Sequence, residues 1–139
     1  MNPFPFISAK LSIIVLRISL AIIFLIHSTV RIATKGSIDD FANNVFSKIL
    51  FVTPKMIVWG ITLFEIIGGI LLISGVFVRW ISAGFIILLL MGIIIIHAQL
   101  GWFVGEFGTG GCEYSFILII AFVAVAATDR KKKEEIIKG

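Results

Sequence analysis

The stretch Trp80-Ile81-Ser82-Ala83-Gly84-Phe85-Ile86-Ile87-Leu88-Leu89-Leu90-Met91-Gly92-Ile93-Ile94-Ile95-Ile96-His97, continued through Gln99 to Gly105, carries no formal charge. A helix of roughly 20 mostly apolar residues crosses the hydrocarbon core of a bilayer, so this run is long enough to span one. A barrel strand would instead alternate apolar and polar side chains over about ten residues, and Ile86-Ile87-Leu88-Leu89-Leu90 does not alternate. Two further runs resemble it: Leu11 to Val30, whose one formal charge is Arg17, and Met56 to Val78, interrupted by Glu65. A fourth, Tyr114 to Thr128, has 15 residues. At 1.5 Å per residue it covers roughly 22 Å, so it is expected to recruit residues before Tyr114 and to draw Cys112 and Glu113 into the membrane interface. The sequence therefore predicts an all-α integral membrane four-helix bundle. Its single domain, residues 1–139, has spans at about 11–31, 56–77, 80–101 and 112–128, followed by a charged tail at 129–139.

Composition points the same way. Of 139 residues, 59% are apolar and 14% charged, against roughly 45–50% and about 25% in soluble domains, and mean hydropathy is +1.13. A water-soluble domain of this size must expose much of its surface and has nowhere to hide so many apolar side chains. A soluble enzyme, a disordered tail and a nucleic-acid-binding domain are excluded. The net charge of +4 sits at the ends of apolar runs, which is a membrane pattern. The single cysteine, Cys112, forbids an internal disulfide. No A-x-A-like site follows the first run at His27-Ser28-Thr29-Val30-Arg31, so it reads as an uncleaved span rather than a signal peptide.

Lysine and arginine counts orient the bundle. With four spans, one side holds eight of them: Lys10, Arg17, Arg79, Arg130, Lys131, Lys132, Lys133 and Lys138. The other holds four: Arg31, Lys35, Lys48 and Lys55. The positive-inside rule then places both termini in the cytoplasm, with the basic tail as a solvated stop signal that attracts anionic lipid.

The connections differ in character. Val76-Phe77-Val78-Arg79-Trp80 is so short that spans two and three must be antiparallel neighbours. Between spans one and two, apolar residues recur at Ile38, Phe41, Ala42, Val45, Phe46, Ile49 and Leu50, the i, i+3, i+4, i+7 pattern of an amphipathic helix. Ser37 is placed to cap it, with Asp40 three residues on. Such a helix either lies in the interface or packs over the bundle. The third connection contains Gly108, Gly110 and Gly111, which allow tight turns; it lacks the lysine of a phosphate loop and presents Glu113 instead.

Ionisable residues inside spans are costly and face the bundle interior or a wet cavity. At about 100° per residue, Arg17, His27, Ser28 and Arg31 fall within a sector of roughly 100°, one polar stripe on span one. Glu65 shares a face with Thr62, Gly68, Gly69 and Leu72, and the glycines let another helix approach closely. Gly68 and Gly69 are expected to face span one or span four, with Gly75 a further packing glycine. Counting residues from the span ends gathers His27, Arg31, Glu65, His97 and Glu113 in the outer half, a candidate site for a ligand or for protons. The bland alternatives are a structural Glu65–Arg31 pair, an interfacial His97 and an Arg17 that snorkels to the headgroups. No H-x-x-x-H or E-x-x-H spacing supports a metal, and no haem ligand pair, CxxC, flavin or nucleotide fingerprint is present, so no intrinsic cofactor is expected.

Span one, Arg17 through His27-Ser28-Thr29-Val30-Arg31, span two, Glu65-Ile66-Ile67-Gly68-Gly69-Ile70-Leu71-Leu72-Ile73-Ser74-Gly75, and the span-four start Gly110-Gly111-Cys112-Glu113-Tyr114-Ser115 together resemble the DoxX family of small four-helix membrane proteins. The most specific part is the E-x-x-G-G-x-x-L-x-x-G signature of span two. Ala21 stands where that family has glycine, Ser28 likewise, and Arg31 where it has lysine. The resemblance implies a small subunit or accessory partner of a quinone-linked redox complex in the inner (plasma) membrane, with quinone as the expected ligand and membrane or redox subunits, or further copies of the chain, as partners. The alternative is a non-catalytic assembly or scaffold subunit that uses its glycine faces and polar pairs for packing alone.

Overall fold

The computed structural model describes residues 7–46, 53–97, 101–103 and 111–138, with side chains as far as Asp129. It is all-helical among these residues: α1 (Ala9–Ala33), α2 (Ser37–Phe46), α3 (Pro54–Ser74), α4 (Val78–Ile95) and α5 (Cys112–Lys138). Among the described residues four segments are long and apolar enough to cross a membrane, namely α1, α3, α4 and Cys112–Asp129 of α5. Their outward faces carry exposed Ile26, Val30, Ile67, Ile87, Ile94 and Ile117. An apolar surface this continuous belongs in lipid, and helices satisfy their backbone polar groups there without water.

Local chemistry sets the helix ends. Ser8 caps α1 by accepting the Leu11 N–H at 3.2 Å. Pro54 opens α3, where its missing N–H costs nothing. At the other end of α3, Gly75 takes φ 77°; its N–H reaches the Leu72 carbonyl at 3.2 Å, and the Val76 N–H reaches Leu71 at 3.0 Å. This left-handed stop ends α3 at Ser74, earlier than the span expected to reach residue 77. Gly75-Val76-Phe77 then turns the chain into α4, with Phe77 itself at φ 52°. The cap of α2 is Gly36, not Ser37: Ser37 is already helical, and the Asp40 N–H donates to the Gly36 carbonyl at 2.9 Å. Gly36 sits at φ 84°, a conformation serine would resist. The α5 helix begins at Cys112 and its backbone stays helical through the charged segment to Lys138.

Of the two placements open to α2, the structure shows packing over the bundle. Ala42 and Phe46 are buried with Val58 of α3, and an exposed Lys55–Asp39 pair at 2.7 Å joins the same two helices. Ile49 and Leu50 of the expected helix lie outside the described residues. The bundle centre is aromatic, with one phenylalanine from each span: Phe24, Phe64, Phe85 and Phe122. Phe85 stacks on Phe122 with centroids 5.1 Å apart and meets Phe24 at 4.4 Å and Phe64 at 4.9 Å.

Glycines set the helix spacing. A Cβ on Gly69 would stand 2.8 Å from Leu25 Cγ of α1 and 3.4 Å from the Ala21 carbonyl. Gly68 instead faces α4, where a Cβ would meet the Phe85 ring at 3.0 Å and Ile81 at 3.3 Å. The expectation that both glycines face span one or span four is thus corrected for Gly68: adjacent positions on a helix point about 100° apart, so one serves each neighbour.

Candidate functional site

The polar stripe of α1 lies along α3. At one end the Arg17 guanidinium rests on the Gly75 turn, with Nη1 3.0 Å from where a Cβ on Gly75 would sit. Its cation thereby meets the negative end of the α3 dipole. At the other end Arg31 reaches Glu65. Nη1 of Arg31 donates to Glu65 Oε2 at 2.8 Å and to Thr62 Oγ1 at 2.9 Å. Ser28 Oγ donates to the same Oε2 at 2.7 Å, and Thr62 Oγ1 donates to the Val58 carbonyl at 2.7 Å. That last bond turns a lone pair of Thr62 toward Arg31. Glu65 is 3% exposed and Arg31 13%, so the carboxylate is held by two side chains, Arg31 and Ser28, away from water. Ser28, which stands where a glycine was expected from the resemblance, supplies one of those bonds. The aromatic ring of Phe41 in α2 covers the guanidinium, 5.3 Å from Cζ to the centroid.

This cluster forms one wall of a cavity of about 720 Å³. His27, Arg31, Glu65 and His97 all line it, along with Phe41 and Phe46 of α2 at one end and Phe24 and Phe64 nearer the bundle centre. Four of the five residues proposed from sequence therefore meet in one space. Glu113 does not line it; it occupies the first turn of α5, where its backbone N–H bonds the Trp102 carbonyl at 3.1 Å. The α5 side of the cavity comes from Tyr114, Ser115 and Leu118 instead. Helical phase explains the difference, since Ser115, Leu118, Phe122 and Val125 form the buried stripe of α5, and Glu113 is two residues, or about 200°, from Ser115.

The polar atoms around the cavity are not all occupied. Nδ1 of His97 is buried with no hydrogen-bond partner. His27 is exposed on α1 and stands 6.4 Å, ring to ring, from Phe24. Among the described residues no three His, Cys, Asp or Glu side chains come together as a metal site. The arrangement can hold a mostly apolar molecule and offer it a hydrogen bond from an imidazole, next to a neutralised Arg–Glu pair.

These features define a multi-pass membrane protein built as a four-span bundle, with a partly open cavity polar along one side. The DoxX family model matches residues 12–98, and the chain belongs to the DoxX family. The match takes in α1 to α4 and with them His27, Arg31, Glu65 and His97, and it stops before α5. No curated protein and no solved structure matches the chain.

Proposed function

We propose that the protein is a small subunit or accessory partner of a quinone-linked redox complex and that the α1–α3–α4 cavity receives the quinone head. The observation that carries this reading is a largely apolar cavity of about 720 Å³ that His27 and His97 line beside the Arg31–Glu65 pair, within the roughly 300–1,000 Å³ range of small-molecule sites. The residues present fit such a group: the imidazoles of His27 and His97 line the cavity and can bond a quinone oxygen, the phenylalanines flank a flat ring, and Arg31 with Glu65 fixes the wall. A bound quinone would supply two-electron, two-proton chemistry; the chain itself supplies position and a route for protons past His27 and His97. The charge asymmetry supports an inner-membrane placement with both termini in the cytoplasm.

A second reading, an assembly subunit without ligand, is favoured by one specific observation. Glu65 Oε2 is already shared by Arg31 and Ser28, which is what a purely structural clasp between α1 and α3 requires. Purification in mild detergent, followed by identification of the quinones and proteins that accompany the chain, separates the two. Quinone bound in near-stoichiometric amount and lost in His97→Phe supports the first reading. Partner proteins with no quinone establish the second.

A further inference from the structure

Helices α3 and α4 supply more than half of the cavity's described lining. These helices touch tightly near the bundle centre, where Gly68 lies under Phe85 and Gly84 lies so close to the Phe64 ring that a Cβ would stand 2.6 Å from Cζ. Toward the α2 end they separate. Gly60 of α3 and Gly92 of α4 both line the cavity, and a Cβ built on either meets no atom of the described residues within 4 Å. Ile87 and Met91, also in the lining, are 62% and 49% exposed on the outer face of α4. Phe41 and Phe46 of α2 stand over the end of the cavity. In a bilayer, the Gly60–Gly92 gap faces acyl chains.

Charge narrows the occupant. Among the described lining residues the formally charged ones are Arg31 and Glu65, and these neutralise each other at 2.8 Å. An anion or cation entering this space would gain no free counter-charge and would lose its hydration, a cost of several kcal/mol per ion. A neutral molecule with an apolar body and one hydrogen-bonding end meets no such penalty, and the imidazoles of His27 and His97 in the lining offer that end a partner.

We propose that the cavity takes a neutral ligand dissolved in the bilayer, admitted sideways through the gap between α3 and α4 that Gly60 and Gly92 keep open. The route does not depend on the ligand being a quinone; only the identity of the natural occupant rests on the function proposed above. Because a side chain at either glycine has space, filling the gap is compatible with the fold, so the route can be closed without unfolding the bundle.

The test uses the full chain in lipid nanodiscs and a small uncharged phenyl diazirine partitioned into the bilayer, with photolabelled residues mapped by mass spectrometry. In the unmodified protein, label is expected on cavity residues such as Phe64 and Leu88 as well as on outward residues such as Ile67. In Gly60→Phe/Gly92→Phe, cavity labelling should fall at least tenfold while labelling of Ile67 and the thermal midpoint stay unchanged; Gly60→Ala/Gly92→Ala should retain cavity labelling within about twofold. Cavity labelling that persists in the folded Phe variant overturns the lateral route, and so does its absence from the unmodified protein delipidated before reconstitution into nanodiscs. If only a charged spin-labelled fatty acid reaches the cavity, the neutral-ligand inference is wrong. Protection of Phe64 and Leu88 by excess decylubiquinone supports the quinone assignment. Labelling closed by the Phe pair but not protected by decylubiquinone keeps the route and removes the quinone reading.

Discussion

Arg31 and Glu65 join α1 to α3 through a 2.8 Å ion pair that is buried among apolar helices and reinforced by Ser28 and Thr62. Pairs of this kind cost desolvation on both sides, so their main effect is seen when one partner is removed. Glu65→Gln keeps the shape but leaves the guanidinium without its counter-charge. It should lower stability by about 3–5 kcal/mol, read as denaturant or thermal unfolding in one detergent. The double change Arg31→Met/Glu65→Leu should recover most of that loss, because an apolar pair of similar size carries no uncompensated charge. If the single and double variants are equally unstable, the pair is not what Glu65 contributes.

The two close glycines should respond differently from the two open ones. Gly69→Leu drives a side chain into Leu25 and toward the Ala21 carbonyl of α1, and should destabilise the bundle by about 1–3 kcal/mol. Gly60→Ala, facing open space in the middle of α3, should be neutral or stabilise by about 0.5–1 kcal/mol through the lost flexibility of glycine. Paired melting curves in the same detergent decide this; an equal response at the two positions would mean that the α1–α3 spacing is looser than the Gly69–Leu25 contact implies.

Four spans, the helix between the first two and the α1 polar stripe were legible in the sequence because each is a periodic signal carried by many residues. Thr62, Glu65, Gly68, Gly69 and Leu72 were likewise grouped on one face of span two, and all five are buried in α3. What the sequence did not show depends on which face meets which neighbour. Nothing local says that Gly68 belongs to α4 while Gly69 belongs to α1, or that four phenylalanines from four spans converge at Phe85. Glu113 was grouped with the cluster by depth alone, and depth fixes only one coordinate; the phase of α5 brings Tyr114 and Ser115 to the cavity in its place. The Gly111 position shows the same limit. Its glycine looked like a turn residue, yet a Cβ there would collide with the Trp102 and Phe103 backbone, a contact between segments eight or more residues apart.

Orientation can be read directly. With Cys112 replaced by serine, single cysteines at Lys35, between α1 and α2, and at Lys131, beyond the fourth span, should label oppositely in intact cells. The Lys35 position should react with an impermeant maleimide and the Lys131 position should react only after permeabilisation, as the eight-to-four basic asymmetry requires. The reverse pattern would invert the topology and leave the bundle itself untouched.

Gly75 and Arg17 offer the sharpest test of the end of the bundle opposite α2. Gly75 holds φ 77°, where a residue with a Cβ costs roughly 1–2 kcal/mol. A Cβ there would also stand 3.0 Å from Arg17 Nη1 and 3.4 Å from its Cζ. Gly75→Ala therefore combines two penalties, backbone strain and displacement of the guanidinium from the α3 C-terminus. Arg17→Met removes the second group without touching the first. In a double-mutant cycle the strain should appear equally on both backgrounds, and the contact should appear as a coupling of about 0.5–1 kcal/mol. The sign is set by geometry: Gly75→Ala should cost less when Arg17 is already gone. A coupling near zero would show that Arg17 leaves the turn for the headgroups, the snorkelled position its location near the start of α1 also allows.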